Sequence, residues 1–153
     1  MEIRPYRLFT ILPSHSKISP AAIGSILAGG ILQVEVLRPI VVGLIPTGDA
    51  IVPPTADPKV GDIIEFNSSI FSSMLKEWGA ESICFPIVPD KKELLAAALR
   101  EATEKCDAVI LNAGSSAGRE DFSAAVIAQQ GGVLYHGIAI RPGKPAILGY
   151  YGA

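Results

Sequence analysis

The chain has 153 residues, 49% of them apolar and 18% charged, which is enough apolar material for one compact buried core. Its 13 basic and 15 acidic residues give a formal net charge of -2, and no run of Lys or Arg forms the basic footprint of a nucleic-acid-binding protein. We therefore expect one domain without a nucleic-acid partner.

The two cysteines and the start of the chain indicate the compartment. Cys84 and Cys106 lack the C-x-x-C spacing of a zinc knuckle and are too few for a disulfide framework, so free thiols are expected. Arg4 and Arg7 precede an apolar patch that Pro13 ends before a signal-peptide core could form. No apolar run approaches the roughly 20 residues that cross a bilayer. The sequence predicts a cytoplasmic protein without a membrane partner.

Residues 1–18 show no sustained periodicity and are interpreted as an entry segment or as a linker remnant from a larger protein, whereas residues 19–153 form the predicted domain. Ser19-Pro20 places an N-cap residue before proline at the first helical position, which predicts a short helix ending at Gly29-Gly30. Residues 33–37 alternate polar and apolar side chains and predict a half-exposed strand. Residues 40–45 are a continuous apolar run between prolines and predict a buried central strand.

The next segments alternate between helical and strand patterns. Apolar residues at helical spacing follow Asn67, and Gly79 is the stop signal of that helix. Residues 82–88 form the next predicted strand. Asp90-Lys91-Lys92-Glu93 matches an Asp-x-x-Glu capping box at the start of a helix with an apolar face. Residues 108–111 are then predicted as another buried strand.

The last part of the chain continues the alternation. A loop rich in glycine and serine over residues 112–121 precedes a predicted helix over residues 122–130, and predicted strands over 133–140 and 146–150 follow. Apolar strands alternating with amphipathic helices indicate an open, mostly parallel sheet covered on both faces. The predicted fold class is therefore α/β, a three-layer α/β/α sandwich with a mostly parallel central sheet.

Ligands of such sheets bind outside the carboxyl ends of the strands, so the loops over residues 46–50, 89–90 and 112–121 are the candidate site. In the last of these, Gly114-Ser115-Ser116-Ala117-Gly118 lets backbone N–H groups and hydroxyls converge on an anion. Its glycine spacing matches neither a dinucleotide fold nor a P-loop. The alternative is a plain turn whose Asp121 caps the next helix.

Three other positions also have two interpretations. Thr47-Gly48-Asp49 can present a hydroxyl and a carboxylate at the same sheet edge, or can be a plain turn. Asp90 can bind a metal ion or a polar ligand, or can be the N-cap of the following helix. Arg141 and Lys144 lie on a turn stiffened by two prolines, where they can bind phosphate or be ordinary surface charges.

An ordered set of motifs then points to a known family. The set consists of Thr47-Gly48-Asp49, Gly61-Asp62-Ile63 with Asn67-Ser68, Val88-Pro89-Asp90, Gly114-Ser115-Ser116-Ala117-Gly118 with Asp121, and Arg141-Pro142-Gly143-Lys144-Pro145. In this order and spacing it resembles the MoeA-type molybdopterin-binding domain across residues 19–150. The resemblance implies a molybdopterin molybdotransferase of molybdenum cofactor biosynthesis. That family inserts molybdate into adenylylated molybdopterin in a Mg²⁺-dependent step that releases AMP.

The resemblance also implies roles for individual residues. Asp90 and Asp121 match acidic residues of the family's active site, and Asp90 is the candidate Mg²⁺ ligand. The 114–118 loop matches the stretch that holds the phosphate end of the pterin. The expected substrate contacts are Thr47, Gly48, Asp49, Gly114, Ser115, Ser116, Gly118, Arg141 and Lys144. Members of the family form homo-oligomers, so a homo-oligomer is expected here as well.

Two departures from the family pattern affect the catalytic prediction. Ala50 stands where the family usually has a Glu after Thr-Gly-Asp, and Ala113-Gly114 replaces the usual Gly-Gly. The chain stops at Ala153, before the family's Gly-Leu-Pro-Gly-Asn-Pro segment, and lacks its other domains. We therefore expect a domain truncated at its C-terminus that does not turn over in isolation.

Two other functions compete with this one. A non-catalytic sensor or regulatory module would keep the fold and bind the pterin or a related nucleotide, and Ala50 favours it. An enzyme of the CinA-like group would act on other pyridine or pterin nucleotides, and the Arg-Pro-Gly-Lys-Pro motif argues against it. Molybdate-dependent AMP release tests the first alternative, and competition between molybdopterin and nicotinamide nucleotides tests the second.

Overall fold

The structure is a computed structural model that describes residues 10–55, 57–113, 120–140 and 145–152, with the backbone alone at residues 120 and 121. The chain divides into two compact units, Met1–Arg38 and Pro39–Ala153.

The first unit contains helix α1, Pro20–Ala28, as the sequence predicts. The Ser19 side chain accepts a hydrogen bond from the Ala22 N–H, and proline occupies the first turn. At the other end Gly30 adopts a φ of 77°, and the N–H of Ile31 donates to the Ile26 carbonyl. This is a Schellman ending, which favours glycine because its backbone conformation is left-handed.

The strand predicted over residues 33–37 does not form, so that prediction was wrong. The alternating pattern is present, yet Val34, Val36 and Leu37 are all exposed. A strand needs a neighbour that completes its backbone hydrogen bonds, and no described residue pairs with this segment. Alternation alone therefore did not decide its structure.

The second unit has the predicted alternation of strands and helices. In its described residues the elements are β1 (Val41–Pro46), β2 (Ile51–Val52), β3 (Ile63–Ile64), α2 (Asn67–Glu77), β4 (Glu81–Cys84), α3 (Lys92–Lys105), β5 (Ala108–Asn112), α4 (Glu120–Gln130), β6 (Gly131–His136) and β7 (Ile147–Tyr151).

A parallel sheet in the order β4-β1-β5 forms the centre of this unit. Its register pairs Gly43 of β1 with Ile83 on one side and Val109 on the other. Val42, Leu44 and Leu75 form a buried cluster between the sheet and α2. Ile45 and Val88 belong to a second cluster with residues of α3 and α4. Helices therefore cover both faces of a parallel sheet, and the predicted three-layer α/β/α fold class is confirmed.

Two smaller sheets flank this arrangement. β2 and β3 pair in parallel, and β6 and β7 pair as an antiparallel ribbon that packs against α4. The strands predicted over residues 133–140 and 146–150 are thus present with shifted bounds, β6 starting directly after α4. Among the described residues, these strands do not pair with the central sheet.

Two boundaries differ from the predictions near the end of β4. The strand ends at Cys84 instead of residue 88, and Pro86 follows with no N–H to donate to a ladder. Helix α3 starts at Lys92 with Lys91 as its N-cap, and the Lys91 side chain makes no capping hydrogen bond. The prediction of Asp90 as N-cap was therefore wrong, because the helix begins one residue later than that capping box requires.

Candidate functional site

The segments that follow β1, β4 and β5 meet at the carboxyl edge of the central sheet. Thr47 and Val88 form an isolated parallel bridge beyond the ends of their strands. The Gly48 N–H donates to the Val88 carbonyl over 3.1 Å, and the Thr47 N–H donates to the Asn112 carbonyl over 2.9 Å. The predicted meeting of these three loops is therefore observed.

Thr47 is a buried link between two of these loops, with 2% of its surface exposed. Its hydroxyl donates to the Asn112 carbonyl over 3.3 Å, the same oxygen that accepts its backbone N–H. Gly48 beside it is also buried and has a φ of 148°, and a Cβ there would lie 2.9 Å from the Ile51 Cγ1 atom. The Thr-Gly pair thus closes the turn so tightly that a side chain at the second position does not fit.

Asp49 and Asp90 are brought together by the backbone. The Oδ1 atom of Asp49 accepts a hydrogen bond from the Asp90 N–H over 3.1 Å. Asp49 is exposed, whereas Asp90 is half-buried and its Oδ2 atom is buried. The two predicted carboxylates therefore share one edge of the sheet in different surroundings.

A shallow cleft lies at this edge. Its lining residues come from all three loops and from the first turns of α3 and α4: Thr47, Pro89, Asp90, Lys91, Lys92, Leu95, Ala113, Phe122 and Ser123. The Phe122 side chain is 53% exposed, while Ser123 beside it is buried. The cleft combines apolar surface with one carboxylate and two lysines, which suits a ligand that has both an apolar part and an anionic part.

Lys91, Lys92 and Phe122 were not among the residues singled out from the sequence. The sequence pattern makes the two lysines interior positions of a capping box and Phe122 the start of a helix, and each lies within two residues of the predicted amino end of a helix. That position is the signal that could have identified them, because residues at the carboxyl ends of strands face the ligand side of such sheets.

Most of the remaining predicted site residues lie outside the described part of the chain. These are Gly114, Ser115, Ser116, Gly118, Arg141 and Lys144, together with the side chain of Asp121. Within the described ranges, no group of three or more His, Cys, Asp or Glu residues could hold a metal ion. No helix there is long and apolar enough to span a membrane.

Comparison with known proteins identifies relatives that all concern molybdopterin. The family described as "Probable molybdopterin binding domain" matches residues 43–152. A molybdopterin molybdenumtransferase from Haemophilus influenzae is 30% identical over 139 residues, which cover 91% of this chain and 34% of the relative. One from Nostoc is 31% identical over 136 residues, covering 88% and 31%. The chain thus spans about a third of the length of these relatives.

The solved structures that resemble this chain are also of molybdopterin biosynthesis proteins. Two structures of a molybdopterin biosynthesis MoeA protein from Pyrococcus horikoshii align with TM-scores of 0.75 and 0.66, at 37% and 26% sequence identity. Both alignments cover 86% of this chain, and 32% and 31% of the solved chains. The structural similarity therefore extends over most of this chain.

Proposed function

The chain belongs to the molybdopterin-binding-domain family, as its MoeA-type motifs predicted, and from this we propose that it binds a molybdopterin at the carboxyl edge of the β4-β1-β5 sheet. One observation carries the proposal: the segments after β1, β4 and β5 meet around a single cleft that contains Asp90. A concave site at the strand ends is where parallel sheets of this kind bind their ligands.

The charge of the cleft supports a phosphorylated ligand. Lys91 and Lys92 lie on its rim, and the first turns of α3 and α4 contribute to its lining. The amino ends of helices carry partial positive charge and unpaired N–H groups, which stabilise anions. We assign the phosphate end of the ligand to this region together with the Gly114–Gly118 loop, Arg141 and Lys144. The Phe122 ring offers apolar surface to the planar part.

Asp90 and Asp121 are the proposed catalytic acids. Mg²⁺ is held in many enzymes by one or two carboxylates together with oxygens of a substrate phosphate, so a larger cluster of acidic residues is not required. The half-buried Asp90 carboxylate on the cleft fits that coordination. When bound there, Mg²⁺ would neutralise phosphate charge. Asp90 itself would orient the ion, and the lysines would hold the phosphate.

For the whole protein we propose molybdenum transfer to molybdopterin, the activity for which the relatives are named, with the chemical steps that the family resemblance implies. Molybdate is inserted into adenylylated molybdopterin and AMP is released, as part of molybdenum cofactor biosynthesis. The chain described here would supply the pterin-binding part. A homo-oligomeric state and a cytoplasmic location remain predictions.

A second candidate function is a pterin- or nucleotide-binding module without catalysis. Ala50 favours it, because this position follows Thr47-Gly48-Asp49 directly and carries no carboxylate. Asp49 and Asp90 are the only carboxylates in the described part of this sheet edge, over residues 46–52 and 85–92. Such a module would bind the same ligand but would release no AMP.

Titration with adenylylated molybdopterin, with and without Mg²⁺, tests the proposal. We expect saturable binding, weakened at least about tenfold by Asp90→Asn or Asp121→Asn because each removes a charge from the site. Glu77→Gln on α2, across the sheet from the cleft, is the matched control and should bind like the unaltered chain. Absence of binding by the folded chain would contradict the proposal.

The catalytic proposal needs a separate measurement. Molybdate-dependent AMP release by this chain, or by a longer protein that contains it, would support the transferase. Binding of the same ligand without AMP release would favour the non-catalytic module.

A further inference from the structure

The hydrogen bonds between β1 and β4 continue past the strand ends. The Phe85 N–H donates to the Leu44 carbonyl and the Val88 N–H donates to the Pro46 carbonyl, each over 2.9 Å. The two donors are three positions apart in the chain, whereas their acceptors are two positions apart, so the β4 side contains one extra residue around Pro86. The ladder is thereby prolonged into the loops that form the cleft.

The next donor in this series is the Asp90 N–H. Two residues after Pro46, the expected acceptor is the Gly48 carbonyl, but that oxygen instead accepts the Ile51 N–H over 3.4 Å and closes the turn after β1. The Oδ1 atom of Asp49 accepts the Asp90 N–H over 3.1 Å. A side-chain oxygen thus takes the place of the backbone acceptor.

The two carboxylates differ in their relation to the cleft. Asp90 belongs to the cleft lining, with its Oδ2 atom buried, whereas the exposed Asp49 is absent from the lining residues among those described. The Asp49 oxygen is directed at the backbone of the residue that does line the cleft. Its hydrogen bond fixes the point at which the loop after β4 leaves the sheet, and therefore the position of the Asp90 backbone from which the side chain extends.

We propose that Asp49 is a positioning residue that holds the Asp90 backbone in place, and not a residue that contacts the ligand or a cation through its charge. This inference rests on the proposed function only in that the ligand binds beside Asp90. It also differs from the role that the family resemblance implied, in which Asp49 contacts the substrate.

Asp49→Asn and Asp49→Ala separate the two roles, because asparagine retains the Oδ1 acceptor but loses the charge. The matched control is Asp62→Ala. Asp62 accepts the Lys59 N–H over 2.8 Å in another exposed turn of the same unit, and it does not line the cleft. That variant therefore loses an equivalent hydrogen bond without altering the strand-end loops.

The first measurement is hydrogen exchange at the Asp90 amide in the absence of ligand. One hydrogen bond of about 1 kcal/mol corresponds to a roughly fivefold change in protection. We expect the Asp90 amide to lose about that factor in Asp49→Ala, but to keep its protection in Asp49→Asn and Asp62→Ala. Equal protection of the amide in the unaltered chain and in Asp49→Ala would overturn the inference.

The second measurement is the dissociation constant for adenylylated molybdopterin. Asp49→Ala should weaken binding by about threefold to tenfold, and Asp49→Asn and Asp62→Ala should stay within about twofold of the unaltered chain. Loss of affinity in Asp49→Asn equal to that in Asp49→Ala would show that the charge is needed, and would overturn the inference. If the unaltered chain does not bind, the proposed function fails, and the exchange pattern still decides whether Asp49 holds Asp90.

Discussion

Gly43 of β1 and Cys106 at the end of α3 approach so closely that a Cβ atom on Gly43 would lie 3.1 Å from the Cys106 Sγ atom. The same Cβ atom would lie 3.1 Å from a ring atom of Phe85. Glycine at this position allows α3 to pack directly against the central strand.

Gly43→Ala should lower the free energy of unfolding by about 1–3 kcal/mol, because an added methyl group overpacks a buried contact. The measurement is urea unfolding followed by the fluorescence of Trp78, which lies in the same unit. Cys106→Ala removes the Sγ atom. The double variant Gly43→Ala/Cys106→Ala should therefore lose less unfolding free energy than the two single variants lose together. Strictly additive costs would show that the Gly43–Cys106 contact is not the cause.

The free energy of unfolding should decrease at alkaline pH because the buried Cys106 thiol ionises less readily in the folded chain than in the unfolded chain. Burial raises the pKa of its thiol above the ordinary value of 9.0, and the adjacent Asp107 carboxylate acts in the same direction. Because the folded-state pKa is the higher one, the stabilising contribution is complete below the unfolded pKa and is lost as pH rises through the folded pKa. The decrease in unfolding free energy between roughly pH 7 and roughly pH 10 should be smaller in Cys106→Ala. An equal decrease in both proteins would contradict the assignment.

The two thiols should react at different rates. Cys84 is exposed on β4 and Cys106 is buried. A chromogenic disulfide reagent should therefore modify Cys84 at least ~10-fold faster than Cys106. Cys84→Ser should remove the fast phase of the reaction, and unfolding in urea should make the Cys106 thiol reactive. A fast phase that persists in Cys84→Ser would mean that Cys106 is accessible in the folded chain.

Lys92 should contribute to ligand affinity through its charge. It is half-buried on the rim of the cleft, so Lys92→Ala should weaken binding of adenylylated molybdopterin by about threefold to tenfold at low salt. The effect should shrink as salt screens the interaction. Lys92→Arg should retain most of the affinity, and Lys76→Ala on α2 is the control for charge alone. A loss that does not change with salt would point to packing instead.

Much of the fold was predictable from local patterns. The apolar run over residues 40–45, the helical spacing after Asn67 and the cap at Ser19 each correspond to an observed element, because each depends on neighbours in the chain. The two failures, the strand at residues 33–37 and the N-cap at Asp90, depended on a neighbouring strand and on the exact start of a helix, and a local pattern fixes neither. An alternating pattern forms a strand only beside a paired strand, and an Asp-x-x-Glu capping box forms only where the helix begins directly after the Asp.

The candidate site was predictable to the level of its loops. The rule that ligands bind at the carboxyl ends of parallel strands is enough to place Thr47-Gly48-Asp49 and Asp90 at one edge of the sheet from the sequence alone. The rule did not identify Lys91, Lys92 or Phe122 as lining residues, because which side chains face a cleft depends on how the first turns of α3 and α4 pack.

The sequence by itself determined the alternation of strands and helices, the family and the edge of the sheet at which the loops meet, since all three follow from short-range pattern and ordered motifs. Only the tertiary structure decided that the Asp49 carboxylate accepts the Asp90 N–H and that Thr47 donates to the Asn112 carbonyl. These partners are separated by 41 and 65 residues along the chain. Such contacts arise from the register of β1 against β4 and β5, and no local propensity encodes that register.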